Sequence, residues 1–135
     1  MAQDVNQLIR DYVRVWDVTA PDDLADRIFA SDVVDHNPAP GQGPGVGGIK
    51  QVIGVYHGAF PDLHLSCDDI VCSDDRVAVR WSATGRHEGD QLGVPPTHRD
   101  VRLTGIDIVR IQDGRIVERW GEANGLEMMA QITTS

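Results

Sequence analysis

The residues best placed to do chemistry lie in "RDVRLTGIDIVRIQDGRIVERWGEAN", Arg99 to Asn124. The segment alternates around Asp113-Gly114, a strong hairpin signal. With those two residues as the loop, Gln112 opposes Arg115, Val109 opposes Glu118, Asp107 opposes Trp120, Gly105 opposes Glu122, and Leu103 opposes Asn124. One face is then expected to mix carboxylates, an amide and an indole with Ile111 and Ile116. Such mixing suits a pocket wall, where a few polar groups orient a ligand against apolar surface. The plainer alternative leaves Glu118 and Glu122 facing water and Asp107 a satisfied core acid. On the pocket reading Asp107 is the group that could move a proton, because a carboxylate desolvated beside an indole holds one more readily than it does in water.

A second pattern lies in "DHNPAPGQGPGVGGIK", Asp35 to Lys50, where Gly43, Gly45 and Gly48 have the spacing of a dinucleotide-binding fingerprint. That fingerprint needs a strand running straight into a tight turn and a helix. Pro38, Pro40 and Pro44 keep the approach extended or turning instead. Asp62 follows Pro61 and precedes a strand, where the fingerprint wants an acid at a strand's end. Gly48 is followed by Ile49, so the phosphate-loop pattern fails too. A mobile connection at the rim of a site is the better reading. His36, at the edge of this loop, is the second candidate for proton transfer, since imidazole exchanges protons near neutral pH; as a lone histidine beside Asp35 and Asn37 it could equally be structural.

The five histidines, at 36, 57, 64, 87 and 98, show no paired zinc spacing, and Cys67 and Cys72 do not complete a set, so no metal is expected. The two cysteines sit an odd number apart in one expected strand, pointing to opposite faces, and read as buried inert thiols. Arg80 falls opposite Asp69 in the preceding hairpin, a cross-strand ion pair.

These residues need elements to hold them. Val5, Leu8, Ile9, Tyr12 and Trp16 recur at helical spacing from about Asp4 to Trp16. Thr19, Pro21 and Asp22 resemble a cap for a short second helix carrying Leu24 and Ile28. "VVDHN" reads as a short strand. Ile49, Val52, Ile53, Tyr56 and Phe60 make a third helix, stopped at "FPD". Two long hairpins follow, from Leu63 to His87 and from Arg99 to Asn124, and "GLEMMAQI" closes the chain as a short helix. This order is an α+β plan with helices on one face of a curved sheet. At 135 residues and 41% hydrophobic, the chain suits one domain spanning 1–135. Twenty-one acidic against twelve basic residues give a formal charge of −9, which disfavours nucleic acid and anionic membranes. With no membrane-spanning run and no secretory signal, a cytoplasmic protein is expected. Ile106, Ile108 and Val117 fall on the face turned away from the helices, and a homo-oligomer, most simply a dimer, is expected from them.

"DHNP" at 35–38, "AFPDL" at 59–63, "DRVAVRWSATGRHEG" at 75–89, "LGVPPT" at 92–97, "GIDIVRIQDGRIVERW" at 105–120 and the closing "GLEMMAQI" occur in the order and spacing of a known family. From Asp35 to Ile132 the chain resembles the SnoaL-like polyketide cyclases, also called ester cyclases, of the nuclear-transport-factor-2-like (cystatin-like) superfamily. The resemblance implies a cone-shaped α+β domain whose bent antiparallel sheet wraps a deep apolar pocket, with no metal or organic cofactor. It implies ring closure of an aromatic polyketide ester by intramolecular aldol addition, an aspartate on the last strand removing the proton alpha to a carbonyl. Asn124 stands where those enzymes have that Asp; an amide is no general base, but it can donate to a developing oxyanion. The expected catalytic set is therefore Asp107, His36 and Asn124. Trp120, Trp81, Tyr56, Phe60, His87 and Glu122 are expected around a small hydrophobic natural-product substrate, although core packing is the ordinary role of the aromatic members. Epoxide opening, dehydration and isomerisation fit the same pocket, and a binding module that has lost its base is the alternative from another class.

Overall fold

A computed structural model describes residues 4–133. The order of elements is α1 Val5–Arg14, α2 Leu24–Ile28, β1 Phe29–Asp35, α3 Gly45–Ala59, β2 His64–Ser73, β3 Arg76–Arg86, β4 Asp100–Gln112, β5 Arg115–Ala123 and α4 Gly125–Thr133. The strands form a single five-stranded sheet in the order β1-β5-β4-β3-β2, with β1 parallel to β5 and the other neighbours antiparallel. The α+β expectation holds; the first strand starts earlier than "VVDHN". No helix among the described residues is long and apolar enough to cross a membrane.

α1 begins where the Asp4 carboxylate accepts from the Asn6 and Gln7 amides, and it buries Leu8, Ile9, Tyr12 and Val13 against the sheet. The core from this face continues through Val77, Val79, Val109 and Ile116. Its second helix starts at Leu24, later than the Thr19 signal; Thr19 instead donates to the Asp17 carboxylate. Asp17 is buried, and it also takes the Leu65 amide and a 2.8 Å contact with His64 Nδ1, tying the end of α1 to the start of β2. Those amides and hydroxyls outweigh the desolvation that burial imposes, and the Asp17 pKa lies below its ordinary value.

In the β4–β5 turn, Asp113 and Gly114 both have positive φ, 53° and 77°, the backbone a two-residue hairpin requires. Gln112 pairs with Arg115 as expected. One step further the ladder slips: Ile111 pairs with Ile116 and Arg110 with Glu118, leaving Val117 as an extra residue in a β-bulge. Because side chains alternate, one extra residue reverses every later side chain of β5. Asp107 therefore opposes Gly121, Val109 opposes Arg119, and Trp120 pairs with Ile108.

The hairpin before it pairs Asp69 with Arg80, but a register shift brings Asp68 out as the nearer carboxylate, 3.9 Å from Arg80. The same shift overturns the expectation for the thiols: Cys67 is half-buried and Cys72 exposed. Between β1 and α3 the glycines serve backbone packing. A Cβ on Gly48 would lie 1.8 Å from the Gly43 carbonyl oxygen, and one on Gly45 would lie 2.5 Å from that of Ser31. The Gly43 amide is taken by the Gln51 side chain at 2.8 Å.

Candidate functional site

The concave face of the sheet, α1, α3 and α4 enclose a cavity of about 290 Å³. Val13, Phe60, Leu63, Leu65, Leu103 and Met128 give it a largely apolar wall. At one pole the lining turns polar, with Tyr12, Trp81, Asp107 and Arg119. Tyr12 arrives on the buried stripe of α1, Trp81 from β3, Asp107 from β4 and, through the bulge, Arg119 from β5.

Asp107 is 3% exposed and carries three hydrogen bonds. Its Oδ1 accepts from Trp81 Nε1 at 3.1 Å; its Oδ2 accepts from the Tyr12 hydroxyl at 2.5 Å and from Arg119 Nη2 at 3.1 Å. A carboxylate offers about four acceptor positions, so one on Oδ1 is left. The guanidinium of Arg119 is spread over three partners, donating also from Nε to Tyr12 at 2.7 Å and from Nη1 to Asp35 at 2.8 Å. It lies 5.5 Å from the centre of the Trp16 ring. Burial works against its charge, but Tyr12, Asp107 and Asp35 more than offset this, and its pKa is raised above the ordinary arginine value. Burial, reinforced by the Asp107 charge, pushes the Tyr12 phenol well above its ordinary pKa, so Tyr12 stays a donor. Gly121 makes room for this pair, since a Cβ there would sit 2.1 Å from Arg119 Nη2 and 3.0 Å from Asp107 Oδ1.

Around the mouth, Asn37 Nδ2 donates to Glu122 Oε1 at 3.3 Å, and Asn37 Oδ1 accepts the Gly121 amide. Gln42, from the glycine-rich loop, donates to Asp35 Oδ2 at 3.0 Å. Asn37, Ala39, Gln42 and Glu122 all border the cavity, so this loop does form its rim.

Of the residues expected at the site, Asp107, Trp81, Tyr56, Phe60 and Glu122 border the cavity. Trp120 does not, because the bulge turns it outward. It stacks on His36 with ring centres 4.5 Å apart and planes 5° from parallel. His36 is exposed on that outer side, its Nε2 2.7 Å from Glu118 Oε2. Glu118 has also turned outward, where bonds from Arg110 and His36 lower its pKa. Asn124 is exposed at the start of α4, bonded through Nδ2 to Glu127, with its amide on the Thr104 carbonyl at 2.9 Å. The register that put it opposite Leu103 on the cavity face does not occur. His87 is fully buried behind Phe60; its Nδ1 meets Thr97, while its Nε2 has no hydrogen-bond partner among the described residues. Tyr12, Asp35 and Arg119 were not singled out in the sequence. No group of three or more His, Cys, Asp or Glu side chains among the described residues could hold a metal ion.

The fold and site can be set beside known proteins. No curated protein sequence matches the chain. Among solved structures, IdmH of Streptomyces antibioticus, a candidate polyketide cyclase, is 31% identical over 96% of this chain and 98% of its own, with a TM-score of 0.82. TsrD of Streptomyces laurentii is 26% identical, covering 99% of this chain and 100% of its own, with a TM-score of 0.87. AclR of Streptomyces galilaeus, a candidate hydroxylase, is 25% identical over 96% and 81%, with a TM-score of 0.80. These likenesses make the curved sheet and its helices a nuclear-transport-factor-2-like fold. The sequence profile of the SnoaL-like polyketide cyclases matches residues 6–132, and the chain belongs to that family.

Proposed function

We propose that the protein is a cofactor-independent acid/base enzyme of cyclase type, acting on an uncharged, carbonyl-bearing, polyketide-like substrate held in the cavity. The observation that carries this reading is a buried carboxylate, Asp107, held by three donors at the polar end of an apolar cavity, with an acceptor position to spare. A carboxylate so fixed can take a proton from carbon alpha to a carbonyl. The resulting enolate attacks a second carbonyl carbon, the new C–C bond forms, and the alkoxide recovers the proton from Asp107. Tyr56 lines the same cavity, and burial raises its pKa, with Arg119 opposing, so its hydroxyl stays protonated and can donate to the developing oxyanion.

The charge of the pole favours an uncharged ligand. Asp35 and Asp107 face one guanidinium, and Arg119 is the single basic residue of the lining, with all three of its nitrogens engaged. A ligand carboxylate would find no free cation there, whereas an ester or ketone loses nothing. The family and the candidate cyclase IdmH support ring closure over the other reactions. His36 and Asn124, outside the cavity, are assigned to its surroundings rather than to proton transfer. We place the protein in the cytoplasm as a homo-oligomer, without a metal, organic cofactor or nucleic-acid partner. Turnover of a panel of aromatic polyketide esters and matched acids tests the reading. Product from esters, with Asp107→Asn slower by about 10²- to 10⁴-fold, is expected. Ligand-induced melting shifts without product would make the protein a binding module instead.

A further inference from the structure

The cavity is closed at the end away from Asp107, and what closes it sets the size of molecule it can enclose. Its mouth lies beside the polar pole: Asn37 and Glu122 border it, and Gln42 reaches Asp35, which holds Arg119. A substrate that presents its carbonyl to that pole must run inward along the concave faces of β3 and β4. Ala83 and Gly85 follow Trp81 on one strand, and Leu103 and Val101 lie beyond Asp107 on the other. The far end belongs to a second hydrophobic cluster, in which Phe60, Leu63, Ala83, Val101, Met128 and Ile132 are buried. An apolar cavity of about 150 Å³ holds one benzene ring. By that ratio a cavity of about 290 Å³ encloses about 12 non-hydrogen atoms, enough for two fused six-membered rings and a short substituent.

The walls differ in how far they can give. Trp81 lies directly on the β4 backbone: a Cβ on Gly105 would stand 2.3 Å from its Cζ2, and its Nε1 is held by Asp107 at 3.1 Å. Phe60 rests on β3 in the same way, its Cβ 3.0 Å from where a Gly85 Cβ would stand, with the buried His87 ring behind it at 5.8 Å between centres. Neither ring can retreat without displacing a strand or a buried side chain. The remaining wall comes from α4, which is pinned to β4 by Gln131. Its Oε1 accepts the Arg102 amide at 2.8 Å, and its Nε2 donates to the Arg102 carbonyl at 2.9 Å. One turn earlier on the helix, Met128 is 4% exposed and lines the cavity. An unbranched thioether chain is the most adaptable apolar side chain, so Met128 is the part of this end that a substitution can resize without moving the sheet. Truncating it at Cβ removes almost as many atoms as one further fused ring would add.

We infer that the cavity takes uncharged aryl ketones or esters of no more than two fused rings, and that Met128 is the specificity-determining residue that sets this limit. The inference deepens the proposed function and rests on its placing the substrate in this cavity. Titration calorimetry with acetophenone, 1-tetralone and the linear three-ring ketone made by fusing one more benzene ring to 1-tetralone tests it without turnover. Apolar burial alone would favour the largest of the three. Against that trend, 1-tetralone is expected to bind the parent tightest and the three-ring ketone to bind about tenfold more weakly or worse, because overfilling a packed end strains it. Met128→Ala is expected to reverse this order. Ala83→Leu, which fills the same end, is expected to weaken 1-tetralone by about tenfold or more and to leave acetophenone within about threefold. Near-UV spectra check folding, and Met128→Val takes the place of Met128→Ala if the larger truncation does not fold. A parent that binds the three-ring ketone as tightly as 1-tetralone, or binds none of the three, overturns the size limit. An unchanged order in a folded Met128 variant overturns the role of Met128. Deuterium exchange into 1-tetralone separates this from the chemistry: the expected order of affinities without exchange upholds the size limit and sinks the acid/base reading, whereas exchange by a parent that prefers three rings does the opposite.

Discussion

Replacing Gly121 by alanine adds one methyl group to a strand and is expected to disable the pole of the cavity. That methyl would start 2.1 Å from Arg119 Nη2, whereas non-bonded heavy atoms rest at about 3.5 Å or more, so the guanidinium must retreat by over 1 Å. An exposed arginine would swing away freely. This one is held by Tyr12, Asp35 and Asp107 at 2.7–3.1 Å, and retreat breaks at least the bond to Asp107. A lost bond between buried charges costs about 1.5–3 kcal/mol, and a carboxylate left unpaired raises that toward about 3–5 kcal/mol. At roughly 3–5 °C per kcal/mol for a domain of this size, a fall in Tm of about 5–25 °C follows. Thermal melts followed by near-UV circular dichroism measure it. The double variant with Arg119→Met supplies the control, because Gly121→Ala is then nearly silent if its effect runs through the guanidinium. A Tm within about 1 °C of the parent, or a loss of the same size in the Arg119→Met background, refutes the reasoning.

Three further outcomes are expected. Asn124→Asp leaves turnover within about threefold of the parent, because the new carboxylate points away from the cavity; a gain of about tenfold or more would put position 124 in the reaction. Asp17, whose folded-state pKa is depressed, contributes stability that is complete above its unfolded value, about 3.9, and is lost as pH falls through the folded one. Asp17→Asn is therefore expected to flatten the acid side of a Tm-versus-pH curve below about pH 4, and an unchanged slope contradicts this. Dialysis against chelator is expected to leave activity intact, and activity that returns only with an added metal ion would contradict cofactor independence.

The sequence made much of this legible, and where it failed the causes are local. The Asp113-Gly114 turn, the pairing of Gln112 with Arg115 and the membership of Tyr56, Phe60 and Trp81 in the cavity wall follow from turn chemistry and from aromatic residues at helical or alternating spacing. The faces of β5 did not follow, because alternation counted from the turn cannot see a bulge. The sign was there: Ile116 and Val117 are consecutive aliphatic residues in a strand that otherwise alternates, the place where an extra residue is absorbed. That single slip moved Trp120, Glu118 and Asn124 off the cavity and brought Arg119 in. Tyr12 read as one more apolar member of the α1 stripe, and nothing local reveals that its hydroxyl meets a carboxylate 95 positions away. The glycine-rich loop was placed rightly at the rim, but its glycines answer to carbonyl oxygens closer than any Cβ allows.

The central claim is that Asp107 takes a proton from carbon inside the cavity. Deuterium uptake from heavy water at the carbon alpha to the carbonyl of a bound aromatic ketone, followed by proton NMR, reads that step without requiring the natural substrate. Exchange well above the buffer rate with the parent, and reduced by about 10²-fold or more in a folded Asp107→Asn variant that still binds the ketone, is the predicted result. Equal exchange rates for the two proteins, or no exchange by a parent that binds the ketone, would contradict it.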